Sequence, residues 1–230
     1  MKIYGHGSLE PGNVINSRAS FVRLAGLGID GVELDVRRSR DDRLVVIHDA
    51  AYSDGRAVDA TASVARPADV LLLGEALDLC AGLEVNVELK NHPRDEGFDP
   101  GERIADLLVA LLADRGGRDR VIVSSFGIAC IDRVRTLRPE IPTAHLVLSR
   151  RSAAEVIRPA IDHGHRLVHP YESMVDEAFV AACRAADLRV NVWTGDDESD
   201  QTIAALCRLG VDGVITADPV RARRARDRPA

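Results

Sequence analysis

The sequence predicts an α/β fold: a single TIM (β/α)8 barrel with one extra short strand after the second barrel strand. Three observations predict it. Strand-like and helix-like segments alternate from end to end, as consecutive βα units of a parallel sheet do. The 230 residues suffice for one such barrel around one sizeable core. Two strand-like runs alternate apolar and polar residues, so one face can meet helices while the other lines a barrel's interior or mouth.

The first strand, Lys2–His6, precedes a helix over Ser17–Gly26 whose start is marked by the cap Asn16-Ser17. In the second strand, Gly31–Val36, Val32, Leu34 and Val36 share one face, and Glu33, Asp35 and Arg37 the other. Arg43–His48 also reads as a strand. Ser39–Asp42, which joins it to the second, is too short for a crossover helix and reads as a turn, so this is the extra strand of a short ribbon. The irregular stretch 50–69 leads to a helix over Gly74–Ala81. Leu83–Lys90 repeats the alternation, with Val85, Val87 and Leu89 against Asn86, Glu88 and Lys90. After a second irregular stretch, 91–100, a helix over Gly101–Ala113 is supported by Ile104, Leu107, Leu108 and Leu111 at spacings of three and four. Strands over Arg120–Ser125, Thr143–Leu148, Arg166–His169, Arg189–Thr194 and Gly213–Thr216 then alternate with helices over Ile128–Leu137, Ser152–His163, Val175–Ala186, Glu198–Leu209 and Pro219–Asp227. No linker or low-complexity segment interrupts the pattern, so residues 1–230 read as one domain with a reduced capping insertion.

With 46% hydrophobic and 29% charged residues, the composition is that of a soluble globular protein. Aromatics at 3% leave a core of Ala, Val, Leu and Ile. A net charge of −6 argues against nucleic acid or an anionic membrane as the partner. The basic tail Arg221–Arg228 reads as the solvated end of the last helix. Cys80, Cys130, Cys183 and Cys207 are widely spaced, without a CxxC pair, and read as packing thiols in a reducing compartment rather than zinc ligands. No apolar run is long enough to span a membrane and the N-terminus lacks a signal core, so a cytoplasmic location is expected.

The chemistry gathers at strand ends. Glu33 and Asp35, two apart on one face, repel each other unless a cation lies between them, and Glu88 at the end of the next barrel strand can complete a three-carboxylate site. All-oxygen ligation favours Mg²⁺ or Ca²⁺. The competing reading is ion pairs with Arg37 and Lys90 inside the barrel mouth. His6 and His48 end strands that bracket the carboxylates, and imidazoles near pKa 6.5 suit an acid–base pair. His169 ends a strand and is a candidate for the site lining, whereas His163 and His165 lie in a helix-to-strand turn at the opposite end of the barrel. Trp193 shares inward parity with Asn191 and can wall a pocket against an apolar substrate face. Ser124 and Ser125 at a strand end, and His92 in a mouth loop, are weaker candidates.

Nearly end to end, the chain resembles the glycerophosphodiester phosphodiesterase family of metal-dependent TIM barrels. The most specific stretch runs from Gly31-Val32-Glu33-Leu34-Asp35-Val36 to Leu44-Val45-Val46-Ile47-His48-Asp49, with Val85-Asn86-Val87-Glu88-Leu89-Lys90 resembling the family's third-ligand strand. The resemblance implies that Glu33, Asp35 and Glu88 bind one divalent cation, that His6 and His48 are the acid–base pair, and that Lys90 contacts phosphate. The implied reaction is cleavage of a small phosphodiester, in which a substrate hydroxyl attacks phosphorus and a cyclic phosphate is opened by water. A lyase that stops at the cyclic phosphate and a non-catalytic phosphate-binding barrel are the alternatives. Departures accompany the likeness. His6-Gly7 stands where the family has His-Arg, Val14-Ile15-Asn16-Ser17 where it has Pro-Glu-Asn-Thr, and Trp193-Thr194-Gly195-Asp196 where it has Trp-Thr-x-Asn. With an arginine missing and an acid added, Arg37 and Lys90 are the remaining inward cations. A bulkier diester, bearing a nucleoside or sugar that packs on Trp193, is then expected.

Overall fold

The computed structural model describes residues 1–6, 15–195 and 198–227. Its strands are β1 (Lys2–Gly5), β2 (Gly31–Arg38), β3 (Leu44–Val46), β4 (Glu84–Leu89), β5 (Arg120–Ser125), β6 (Thr143–Val147), β7 (Leu167–Pro170), β8 (Arg189–Trp193) and β9 (Gly213–Thr216). Eight of them pair in parallel around a closed ring, because β1 pairs with both β2 and β9. β3 stands outside the ring and pairs antiparallel with β2 through Val36↔Val46, Arg37↔Val45 and Arg38↔Leu44. The expected barrel with its extra strand is therefore present, although the extra strand is shorter than Arg43–His48.

The helices are α1 (Arg18–Ala25), α2 (Leu73–Leu79), α3 (Arg103–Asp114), α4 (Ile128–Leu137), α5 (Ala153–Asp162), α6 (Glu177–Ala185), α7 (Asp200–Leu209) and α8 (Pro219–Asp227). Side-chain caps set several starts: Ser17 accepts from Ser20 N, Asp176 from Phe179 N and Ser199 from Thr202 N, while Ser152 and Glu155 form a capping box. Asp176 and Ser199 place α6 and α7 a residue or two later than apolar spacing alone suggests. Cys80, Cys130 and Cys183 are buried free thiols.

Alternation divides the core into two layers. Val32, Leu34, Val36, Val85, Val87 and Leu89 face the helices and pack with Ile104, Leu108 and Ile131. Inside the barrel, Tyr4, Ile122, Ala144, Leu167 and Ile215 form a second apolar layer. Gly31 is required beside it, since a Cβ there would lie 2.3 Å from Glu84 O and 2.6 Å from the Tyr4 ring. Below this layer Glu84 takes Lys2 Nζ at 2.9 Å and the Tyr4 hydroxyl, closing the N-terminal end with a polar plug.

Both irregular stretches are held by buried or heavily bonded side chains rather than by regular structure. Asp41 accepts from Ser39 Oγ, Ser63 N and Ser63 Oγ, which tethers the 50–69 stretch to the β2–β3 turn and holds its carboxyl down to about 2. Asn91 bonds Asp99 on both its amide atoms and also Glu102, which folds the loop after β4. Among the described residues, no helix is long and apolar enough to cross a membrane.

Candidate active site

The C-terminal ends of the barrel strands surround a cavity of about 180 Å³ lined by His6, Glu33, Asp35, His48, Asn86, Glu88, Lys90, Phe126, Leu146, Trp193 and Ile215. Strand register builds its charged half. Asp35 pairs with Glu88, and Glu33 with Asn86, so the four inward side chains stand in two rows on β2 and β4. His6 follows β1, and its backbone N–H is fixed by Thr216 O at 2.8 Å.

His6, Glu33 and Asp35 each offer a donor atom within 4.8 Å of the others. His6 Nδ1 lies 3.3 Å from Glu33 Oε2, and His6 Nε2 lies 3.9 Å from Asp35 Oδ2. Glu88, the third carboxylate expected from the sequence, is not in that cluster; Lys90 Nζ stands between it and Asp35, 2.9 Å from Asp35 Oδ1 and 2.7 Å from Glu88 Oε1. The competing sequence reading, an ion pair with Lys90 in the barrel mouth, thus describes Lys90 in this structure. Its ammonium stands between two of the three expected ligands.

Three carboxyl groups and one ammonium leave this buried place with excess negative charge. Burial, reinforced by Asp35 and Glu88, pushes the Glu33 carboxyl well above the ordinary carboxylate range. Burial raises Glu88 to about 7 despite Lys90. Burial also acts on Asp35, but Lys90, His6 and His48 outweigh it and hold that carboxyl low. Lys90 is raised because Glu88 and Asp35 overcome its own burial. Burial lowers the His6 imidazole, with Asp35 opposing. Glu33 Oε2 is buried and accepts no hydrogen bond, and Asn86 Oδ1 is in the same position. Buried carboxyl oxygens without a hydrogen bond, beside carboxyls raised by burial, are what a divalent cation satisfies, so the residues present fit one.

His48 lines the same cavity from beyond β3. Its Nδ1 lies 2.8 Å from Asp49 Oδ1, and a neutral ring that donates from Nδ1 to that carboxylate has its lone pair on Nε2. The other half of the cavity is apolar. Trp193 packs edge-on to Phe126 with centroids 6.1 Å apart and lies 4.5 Å from the Tyr171 ring centroid. Its Nε1 donates to His169 O at 3.0 Å, so the indole presents ring rather than donor to the cavity.

Two expected lining residues lie elsewhere. His169 is fully buried and does not line the cavity, with Nε2 3.2 Å from Asn191 Nδ2; strand parity gave its face but not its depth. Arg37 lines a neighbouring cavity of about 250 Å³ with Asp59, Asn91, Glu96 and Gly97, and donates to the carbonyls of His48 and Glu96. Ser125 bonds Leu89 O and Gly127 N and is structural; Ser124 is fully buried. Gly7, Val14 and Asp196, where the sequence departs from the resembled family, lie outside the described residues.

The structure adds participants that sequence reasoning did not single out. Asn16 Nδ2 donates to Asp35 Oδ2 at 3.0 Å, a role hidden behind its place beside a helix cap. Phe126 and Leu146 complete the apolar wall, but as single apolar residues at strand ends they read as core.

Comparison with known proteins is decisive for the family. The profile of the Glycerophosphoryl diester phosphodiesterase family matches residues 10–221. The chain belongs to this family. A glycerophosphodiester phosphodiesterase of Caldanaerobacter subterraneus subsp. tengcongensis is 27% identical over 227 residues, covering 89% of this chain and 88% of that protein. One from Bacillus altitudinis is 27% identical over 248 residues, covering 98% of both. Among solved structures, an Oleispira antarctica phosphodiesterase in complex with the product sn-glycerol-3-phosphate superposes with a TM-score of 0.84 at 23% identity, covering 98% of this chain and 96% of that one. As in other glycerophosphoryl diester phosphodiesterases, the named chemistry is that of a phosphoric diester hydrolase.

Proposed function

We propose that this phosphoric diester hydrolase cleaves a glycerophosphodiester to a phosphomonoester and an alcohol, using one divalent cation and the imidazoles of His6 and His48. The observation that carries the reading is that both imidazoles, three carboxylates and Lys90 line one cavity at the strand ends, where barrel enzymes do their chemistry. The relatives' names and the product bound to the Oleispira antarctica structure support a glycerol-containing substrate.

Glu33, Asp35 and Glu88 would hold the cation, with Lys90 released from Asp35 and Glu88 toward the phosphate. Oxygen donors suit Mg²⁺ or Ca²⁺, which when bound would neutralise phosphate charge and lower the pKa of a hydroxyl. One imidazole takes the proton of the substrate hydroxyl next to the phosphate, as that oxygen attacks phosphorus. The other protonates the departing alcohol oxygen. Water then opens the cyclic phosphate with the two roles reversed. A His48 ring that donates from Nδ1 to Asp49 would accept a proton at Nε2. Phe126, Leu146 and Trp193 receive the less polar part of the diester.

The test is incubation with glycerophosphocholine, glycerophosphoethanolamine and a nucleoside-bearing diester, with Mg²⁺ or Ca²⁺, read by phosphorus NMR. A monoester product is expected, and its formation should stop with chelator. Accumulation of cyclic phosphate as the end product would make the protein a lyase. Absence of metal-dependent turnover of every diester would overturn the reading.

A further inference from the structure

We propose that Arg37 is a positioning residue for His48, a clamp that sets the imidazole against the carboxylates across the cavity. The inference rests on the reading of His48 as a proton-transfer group. Three observations lead to it. First, His48 lies outside the closed barrel. The β2–β3 ladder ends at Val36↔Val46, and Ile47 N still reaches Asp35 O at 3.0 Å, but His48 follows the strand and its side chain is half exposed. Its ring partner Asp49 is the next residue in the chain and is itself 80% exposed, so that contact cannot fix the ring relative to the barrel.

Second, the contact back to the barrel comes from Arg37. Its Nε donates to His48 O at 2.8 Å, and its Nη1 to Glu96 O at 3.3 Å. The planar guanidinium thus spans two loops of the catalytic face, the one after β3 and the one after β4. A lysine ammonium, a point donor on a flexible stem, cannot hold both carbonyls in one plane.

Third, Arg37 follows Asp35 by two positions on β2 and shares its face. One rigid strand therefore carries both a carboxylate of the cation site and the clamp on the histidine. The Asp35-to-His48 separation is set by a strand, the Ile47 N to Asp35 O bond and, at His48 itself, one guanidinium, the kind of support that catalytic geometry needs. The bonded acceptors are backbone carbonyls, and the side chain borders the neighbouring cavity of about 250 Å³ instead of the one holding His6 and Glu33. Both facts favour positioning over direct phosphate contact.

A double-mutant cycle separates the possibilities. Glycerophosphocholine turnover with Mg²⁺ is measured for the parent, R37M, H48A and R37M/H48A, each checked for folding by thermal melt. A clamp acting through His48 predicts that R37M lowers kcat about tenfold with KM nearly unchanged, as displaced catalytic groups do. In the H48A background the same change should cost less than about twofold, because the group it positions is gone. R37K should fall between parent and R37M, and the cycle is run with R37K if R37M does not fold. An equal loss in both backgrounds, or a rise in KM without loss of kcat, would overturn the inference and leave the proposed reaction intact. An H48A enzyme as active as the parent would instead remove His48 from the reaction, and the clamp with it.

Discussion

Replacing Lys90 by methionine tests the electrostatic account of the site directly. Lys90 Nζ lies 2.9 Å from Asp35 and 2.7 Å from Glu88, and both carboxylates are buried. Methionine keeps most of the length of the side chain, losing the terminal atom, and removes its charge. In chelator, breaking a buried pair by removing one partner costs on the order of 3–5 kcal/mol. For a domain of this size that corresponds to a fall in Tm of roughly 10 °C. The deficit should depend on pH with a definite sign. Burial already raises Glu88 to about 7, and loss of the lysine removes the group opposing that rise. A carboxyl raised in the folded state binds more protons folded than unfolded between its two pKa values, so stability falls as pH increases through that window. The variant's deficit should therefore be smaller near pH 5 than at pH 8, where Glu88 must ionise without its ammonium. Added Mg²⁺ or Ca²⁺ should recover part of the loss at pH 8, because a cation can replace the missing ammonium. Thermal melts at the two pH values, with and without metal, measure all of this. Equal melting of variant and parent at pH 8 in chelator, or a larger deficit at pH 5, would refute the charge-compensation argument.

Glu33→Gln should raise Tm in chelator, since it removes a buried carboxyl held well above its ordinary range, yet weaken divalent-cation binding about tenfold or more by calorimetry, a loss of one oxyanion ligand. Unchanged affinity would exclude Glu33 as a ligand. His6→Ala and His48→Ala should each lower turnover by about 10²-fold or more, and full activity in either would remove that histidine from proton transfer. Burial lowers His169 to about 3 and His145 to about 4, so the unfolded chain takes up these protons first as pH falls. Stability should therefore drop below about pH 6.5 and continue to drop toward pH 4, by on the order of 1 kcal/mol per pH unit for each histidine. Urea unfolding of His169→Asn, compared with the parent from pH 7 to 4, should show a shallower slope; parallel curves would contradict the assignment.

Much of this architecture was legible because period-two alternation is a strong signal where both barrel faces are occupied. A half-exposed antiparallel strand would alternate as Val32, Leu34 and Val36 do, but two such runs, each followed by a helix, favour helices against the apolar face and put Glu33 and Asp35 inside. The failure of Ser39–Asp42 to span a crossover identified the extra strand in the same way. What stayed hidden depends on depth and reach rather than on face. His169 has the parity of a lining residue, yet its ring is fully buried beside Asn191. Arg37 and Lys90 have side chains long enough to choose partners several residues away, and spacing does not say whether a guanidinium will find a phosphate or a carbonyl. Phe126 and Leu146 carry no chemistry to distinguish a cavity wall from a core. Asn16 reaches Asp35 from the β1–α1 connection, a meeting that only the closed ring creates.

The apolar layer of Tyr4, Ile122, Ala144, Leu167 and Ile215, with the Glu84 plug beneath it, makes the reaction chamber a blind one. Whatever enters by the mouth must leave by it. After cleavage two molecules share that exit, and they are not equivalent. In the proposed reaction the alcohol would carry no phosphate charge to hold it, whereas the monoester would keep the dianion that Lys90 and a bound cation would attract. Release in sequence, alcohol before monoester, is then expected. The monoester should compete with incoming diester for the same seat, while the free alcohol should scarcely slow the enzyme.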